Sequence, residues 1–248
     1  MDYKLLPLHC RILLPYSILM SLIFCHVLRE AIEKASLRLV VQAILDFRDT
    51  ATEIFEFEKD LVADIGEDLT REALDKLGVS KIDQRLFGKI DYKKARYLFH
   101  PDFAIKQALF VDSKAEKLSG KETATLQTSQ LSMTVKQIRA NEDIDVPGKL
   151  PCIIDNAFIT TTIFVKYNYK ESDRNNILED ITIAALPNGF LQNRYNPTAH
   201  DTIFIAGRNA PSRGEEFRVR LSFNKLKTKA KWRVQNIKLF PDEFVWDE

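Results

Sequence analysis

Asp91, Asp112 and Lys114 are the residues of this chain whose types and spacing can do chemistry. Asp91 closes a short apolar run (Leu86, Phe87, Ile90). Twenty-one residues later a second run, Ala108-Leu109-Phe110-Val111, leads into Asp112-Ser113-Lys114. Four apolar residues bounded by polar ones read as a buried strand. Strand side chains alternate between faces, so Asp112 and Lys114 project to the same side. Two carboxylates offer hard oxygen ligands of the kind Mg²⁺ takes, and an ammonium group beside them can hold or polarise an attacking water. That is the equipment of a metal-dependent phosphodiesterase. The same Asp-x-Lys spacing occurs at Asp2-Tyr3-Lys4 and at Asp91-Tyr92-Lys93. A solvated strand end is the plainer reading of each of those. Only Asp112-Ser113-Lys114 follows an uninterrupted apolar run with another strand-end Asp upstream.

The elements that must position these residues can be read around them. Leu28, Ile32, Ala35, Leu39, Ala43 and Phe47 recur at spacings of three and four, predicting a helix over 29–50. A second helix is predicted over 53–77, with Gly78 ending it and Gly66 a potential interruption. Glu67 and Asp68 lie on that helix, where solvated helix charges are the first reading. Residues 86–115 read as a strand pair. Residues 121–139 read as a helix, with Leu126, Gln130, Met133 and Ile138 loosely on one side, and 140–151 as a loop broken by Pro and Gly. The second half changes character. Stretches 158–169, 180–187, 201–206, 216–223 and 232–240 are rich in β-branched and aromatic residues and are separated by turn signals. In 216–223, Phe217, Val219, Leu221 and Phe223 share one face, with Arg218 and Arg220 on the other. Such a pair can be a solvated polar face, or it can enter a major groove and give parallel hydrogen bonds to guanine O6 and N7.

At 248 residues the chain is long enough for one large domain or two small ones. The net charge of +1 argues against a simple basic nucleic-acid binder. The average conceals segregation: residues 46–76 sum to −7, residues 81–140 to +6 and residues 193–233 to +7. That distribution is compatible with one polyanion-facing side. Cys10, Cys25 and Cys152 are widely spaced and odd in number, which suggests neither a disulfide framework nor a zinc site and fits a reducing, cytoplasmic setting. From Ile12 to Leu28 there is no Asp, Glu, Lys or Arg. The readings of that stretch are a membrane or signal segment, a buried helix, or translated upstream sequence with Met20 as the start. The last two are preferred, so no membrane partner is expected.

In its second half above all, the chain resembles the SfiI-type restriction endonucleases of the PD-(D/E)XK nuclease superfamily. The stretches that carry the resemblance are FGKIDYKKARYL (87–98), LFVDSKAEK (109–117) with TLQTSQLSM (125–133), TTIFVKYNYKE (161–171), LQNRYNP (191–197) and AGRNAPSRGEEFRVRLSFNKLK (206–227). The resemblance implies an α/β fold of the α+β kind. Its restriction-endonuclease-like core would be a mixed β-sheet flanked by helices, with a β-rich C-terminal half carrying the DNA-recognition elements. It places residues 1–27 outside the pattern and 28–248 in a single domain, with 28–150 the catalytic core and 151–248 the recognition and core-completing part. It implies that Asp91 and Asp112 ligate Mg²⁺ and that Lys114 helps activate the water, leaving 5′-phosphate and 3′-hydroxyl ends. Glu67 gains an accessory metal role, and Gln127 and Gln130 a role in placing the DNA backbone or the lysine. Arg208, Arg213, Arg218 and Arg220 become candidate DNA contacts, with Arg194 at a phosphate. The implied partners are double-stranded DNA with an interrupted, G·C-rich palindrome, a second copy or three further copies of the chain, and a cognate DNA methyltransferase encoded nearby. Two other readings stand beside this one: a catalytically inactive sequence-specific DNA-binding protein, and a repair or junction nuclease of the same fold.

Overall fold

The computed structural model describes residues 25–57, 62–76, 96–100, 105–118, 122–139, 141–156, 158–172, 175–205, 218–240 and 242–248. Asp91, Arg208 and Arg213 lie outside the described residues, as does Gly78.

Two helices form the first layer, α1 (His26–Phe57) and α2 (Val62–Lys76). The bounds differ from those expected: α1 runs past 50 to Phe57 and takes residues 53–57, expected in the second helix, while α2 begins at Val62. Leu37, Val40, Val41, Ile44, Phe47, Ala51 and Phe55 of α1 and Ile65, Leu69, Ala73 and Leu74 of α2 are buried along one stripe. Gly66 does not break α2.

The second layer is a mixed sheet. Its strands are β1 (Arg96–His100), β2 (Ile105–Lys117), β6 (Ile153–Ile154), β7 (Phe158–Glu171), β8 (Asn176–Leu186), β11 (Val234–Leu239) and β12 (Asp242–Glu243). Their order is β1-β2-β7-β8-β11-β12, with β6 on the start of β7. β2 and β7 run parallel over twelve residue pairs, from Lys106–Phe158 to Lys117–Tyr169, and the other pairs are antiparallel. β7 is buried from Phe158 to Tyr169 because both its faces are covered. Its β-branched run Ile159–Ile163 suits that position. The face turned to the helices carries Leu109 of β2, Ile163, Val165, Tyr167 and Tyr169 of β7, and Ile181 and Ile183 of β8, in one core with α1 and α2. The rings of Tyr167 and Tyr169 lie 5.9 and 5.8 Å from that of Phe55.

A smaller sheet forms the third layer: β3 (Thr123–Gln127), β10 (Arg218–Ser222) and β9 (Phe204–Ile205), with β10 in the middle. Its inner residues Ala124, Leu126, Val219, Leu221 and Phe204 pack on Phe164, Ala184 and Leu186, which project from the face of the large sheet opposite the helices. β4 (Val135–Arg139) and β5 (Glu142–Val146) make a separate hairpin. Residues 121–139, expected as a helix, are therefore β3, a 3₁₀ turn (Thr128–Gln130) and β4. The buried positions alternate (Ala124, Leu126; Val135, Gln137), and packing on that period outweighed the loose helical spacing. The expected strand 216–223 also ends early. Ser222 caps a short helix, α4 (Phe223–Lys229), by accepting a hydrogen bond from Lys225 N.

α1 is fixed to the sheet at its start by a buried ion pair. Arg233 Nη2 meets Glu33 Oε2 at 2.5 Å with both side chains at most 2% exposed. Asn188 N donates to the other Glu33 oxygen at 2.7 Å. The guanidinium also lies over the rings of Tyr195 (4.3 Å) and Trp232 (4.4 Å).

Candidate active site

β2 carries the candidate chemistry in mid-strand, not at its end: the strand continues to Lys117. Asp112 is buried, 3% exposed, and Lys114 is half-buried. Alternation puts both on the face turned away from the helices, together with Ala108 and Phe110. Their cross-strand neighbours on β7 are Phe164 and Lys166.

The intervening residue, Ser113, points into the helix layer and fastens the strand from behind. Its hydroxyl donates to Thr70 Oγ1 of α2 at 2.7 Å, and Thr70 shares a 2.9 Å hydrogen bond with the Tyr167 hydroxyl. Burial holds that phenol well above its ordinary pKa, so it stays a neutral hydrogen-bonding group. Gly66 lets α2 approach the same segment. A Cβ there would lie 3.2 Å from Ala115 N, 3.3 Å from the Lys114 carbonyl carbon and 3.3 Å from the Tyr167 ring. No residue spacing marks these contacts in advance. They hold the backbone of residues 113–115 between a helix and the central strand.

On its own face Lys114 reaches the third layer, donating from Nζ to the Thr125 carbonyl at 3.0 Å. β3 is an edge strand of the small sheet. The Phe223 N–H bonds the Glu122 carbonyl at 3.0 Å, which sets the phase of the β3–β10 ladder. In that phase the carbonyls of Thr123 and Thr125 point away from β10, to the outer edge. Lys166 takes the first of them, Nζ to Thr123 O at 3.3 Å, and is also paired with Glu116 at 3.1 Å. The next outward group, the Gln127 N–H, donates to Gln130 Oε1 at 2.6 Å. The Gln130 carbonyl in turn accepts from Thr162 Oγ1 of β7 at 3.1 Å. Gln130 is 4% exposed. Its side-chain oxygen is thus engaged in the turn that follows β3.

Thr125 pairs directly with Arg220, and Gln127 with Arg218, across the β3–β10 ladder. Val219 and Leu221 are fully buried towards the core, so Arg220, half-buried, lies on the opposite face of β10. One backbone residue, Thr125, therefore separates Lys114 from the strand position of Arg220. Glu67 and Asp68 are not drawn into this arrangement. α2 turns Gly66, Leu69 and Thr70 to the sheet and leaves Glu67 and Asp68 exposed, with Asp68 paired to Arg71 at 2.7 Å. Arg194, at the end of the short helix α3 (Gln192–Tyr195), pairs with Glu30 of α1 at 3.0 Å and lies over its neighbour Tyr195.

Residues 29–237 match the family model described as type II restriction enzyme SfiI. The chain belongs to the SfiI family of type II restriction endonucleases. The type II restriction enzyme SfiI of Streptomyces fimbriatus is 34% identical over 226 residues, which is 84% of this chain and 83% of that protein. The crystal structure of tetrameric SfiI bound to cognate DNA superposes with a TM-score of 0.75 at 33% identity, covering 86% of each chain. The restriction endonuclease BglI, bound to its DNA recognition sequence, shares the fold with a TM-score of 0.67 at 17% identity, over 85% of this chain and 91% of BglI. The mixed sheet with helices on one face is thus the restriction-endonuclease architecture. Among the described residues no helix is long and apolar enough to cross a membrane.

Whether an SfiI-family site here suits a divalent cation turns on its donors. Among the described residues no group of three His, Cys, Asp or Glu side chains is gathered for a metal, and Asp91 lies outside them. What the described residues contribute is a buried carboxylate, Asp112, with an ammonium two positions along the same strand face. Carboxylate oxygen is the donor type that Mg²⁺ prefers, and sulfur and imidazole are not part of the set.

Proposed function

We propose that this SfiI-family enzyme cuts double-stranded DNA at an interrupted, G·C-rich palindrome by Mg²⁺-dependent hydrolysis, leaving 5′-phosphate and 3′-hydroxyl ends. The observation that carries the reading is the pair Asp112 and Lys114 on one face of β2, joined through Thr125 to the strand that bears Arg220. Asp112 and Asp91 would hold the cation, which supplies charge neutralisation at the scissile phosphate. Lys114 holds the attacking water and balances charge on the phosphate oxygens. The water oxygen bonds to phosphorus as the P–O3′ bond breaks in line, the water gives up a proton, and the departing 3′ oxygen takes one. Arg218 and Arg220 are the proposed base readers, with Arg208 and Arg213 as further DNA contacts. The ion pair of Arg194 with Glu30 favours a structural role over the phosphate contact first expected of it.

A site with twofold symmetry calls for a symmetric assembly in which each subunit reads one half, so a homodimer or, as in SfiI, a tetramer is proposed. A cytoplasmic setting and a cognate methyltransferase that protects host DNA complete the reading.

The test is digestion of phage and plasmid DNA by the purified protein in Mg²⁺, with sequencing of the fragment ends. Discrete fragments sharing one interrupted palindrome are expected, and none with EDTA. Asp112→Asn is expected to abolish cutting while binding to the mapped site persists in Ca²⁺. Smearing would point instead to a nonspecific nuclease, and tight sequence-specific binding without cutting to an inactive DNA-binding protein.

A further inference from the structure

We infer that Lys166 is a positioning residue for Lys114, acting through the outer edge of β3; the inference rests on the nuclease reading above. Lys114 and Lys166 are direct cross-strand partners on the parallel β2–β7 pair and project from the same face. Lys166 is 3% exposed, and a lysine is seldom buried so deeply without a partner. Here its ammonium meets Glu116 at 3.1 Å and the Thr123 carbonyl at 3.3 Å. Glu116 stands two residues beyond Lys114 on the same face of β2.

The two lysines thus take alternate carbonyls, Thr123 and Thr125, along one strand edge. An edge strand leaves such groups unpaired, and two bonds spaced two residues apart fix its register as well as its height above the sheet. Lys166 is the fixed member, neutralised by Glu116 and far from solvent. Lys114 is the half-buried member that the chemistry would use. With Lys166 in place, the Thr125 carbonyl stands at one defined point above β2, and so does the ammonium bonded to it. β10 pairs with the other edge of β3. Displacement of β3 would therefore shift Lys114 and the position of Arg220 together.

Lys166→Met keeps the length and apolar stem while removing the donor, and Lys166→Arg restores a cation that can meet Glu116. The readout is the single-turnover cleavage rate at saturating enzyme and Mg²⁺, on a duplex carrying the site mapped from plasmid digests and on one with a single base pair altered. Binding is measured separately in Ca²⁺. For Lys166→Met the expected result is binding within about threefold of wild type, a cleavage rate about 10–100-fold lower, as a displacement of about 1 Å would cause, and a smaller rate ratio between the two duplexes. Lys166→Arg recovers most of the rate. If Lys166→Met does not fold, Glu116→Gln decides, since Glu116 is partly exposed and its loss leaves the Thr123 bond; a rate about 3–10-fold lower with unchanged binding is expected there. A wild-type protein that cuts nothing overturns the nuclease reading and this inference with it. A wild type that cuts, beside variants that fold and cut equally fast, overturns this inference alone.

Discussion

Gly66 offers a measurement of how tightly the helix layer governs the active strand. In Gly66→Ala two effects oppose each other. Alanine is favoured over glycine in a helix interior by about 1 kcal/mol. The new methyl, however, would meet the Ala115 nitrogen at 3.2 Å and the Lys114 carbonyl carbon at 3.3 Å, both backbone atoms that yield little, and the Tyr167 ring at 3.3 Å. The close contacts are expected to cancel the gain, leaving a net change between about 0.5 kcal/mol of stabilisation and about 2 kcal/mol of destabilisation. In Gly66→Val two further methyl groups enter the same space. Overpacking of that kind costs about 1–3 kcal/mol. A domain of ordinary stability, about 5–15 kcal/mol, remains more than ~99% folded after a loss of about 2 kcal/mol. Any fall in cleavage at saturating enzyme would then come from displacement of residues 113–115 and not from unfolding. A shift of about 1 Å is enough for a rate loss of about 100-fold. Urea denaturation gives the stability, and single-turnover cleavage of the mapped site gives the rate. A Gly66→Val protein that is destabilised by the expected amount yet cuts at the wild-type rate would refute the idea that α2 positions Lys114. A full 1 kcal/mol of stabilisation in Gly66→Ala would refute the close approach itself.

Glu33→Gln removes the nearer of two carboxylates at the fully buried Arg233, leaving Glu30 at 3.6 Å, and is expected to cost up to about 3–5 kcal/mol, read from urea midpoints; a loss under about 1 kcal/mol would mean that Glu30 and the stacking on Tyr195 and Trp232 suffice. Asp180 sits partly buried with its carboxyl held above the ordinary range by burial, despite hydrogen bonds from Asn168 and Thr182. A carboxyl whose folded pKa is raised favours folding below its unfolded pKa, and that contribution is lost as pH rises through the folded value. Asp180→Asn is therefore expected to raise the melting temperature at about pH 7, with the gain vanishing near about pH 4; an equal gain at both would exclude the ionisation as its cause. Arg220→Ala is expected to lower discrimination at one base pair by about 1–3 kcal/mol, measured by competition binding in Ca²⁺, whereas a uniform loss over all sequences would mark it as a phosphate contact.

Much of the frame was legible because burial imposes periods on a sequence. The stripe from Ile32 to Phe47 marked α1, and Ala108–Val111 marked the strand that carries Asp112. Arg218 and Arg220 alternating with Val219 and Leu221 announced a strand with two unlike faces. Residues 121–139 mislead because Leu126, Gln130, Met133 and Ile138 fit a helix loosely, while Thr123–Gln127 buries only Ala124 and Leu126, small evidence for period two in five residues. The candidate residues Asp112 and Lys114 stood out by residue type and spacing, and the strand carries both on one face. The site was not legible where position depends on partners distant in the chain. Ser113 needs Thr70, Glu33 needs Arg233, and Lys166 needs a carbonyl 43 residues away. For Lys166 one clue existed: a lysine interrupting the otherwise apolar and aromatic run Ile163–Tyr167 must find a partner if the strand is buried on both faces.

The order in which the small sheet is assembled has a consequence for the newly made protein. The strand that bears Asp112 and Lys114 ends at Lys117 and β3 at Gln127, but β10, the partner β3 needs, begins only at Arg218. A chain still emerging from the ribosome holds Asp112 and Lys114 long before the sheet that accepts the Lys114 hydrogen bond can close. Chains stalled short of residue 218 are therefore expected to be inert towards DNA; measurable cutting by such chains would show that β3 holds its place unaided. If host DNA carries the proposed target site, that sequence of events is a safeguard written into the topology: the proposed means to choose a site and to break it become competent together.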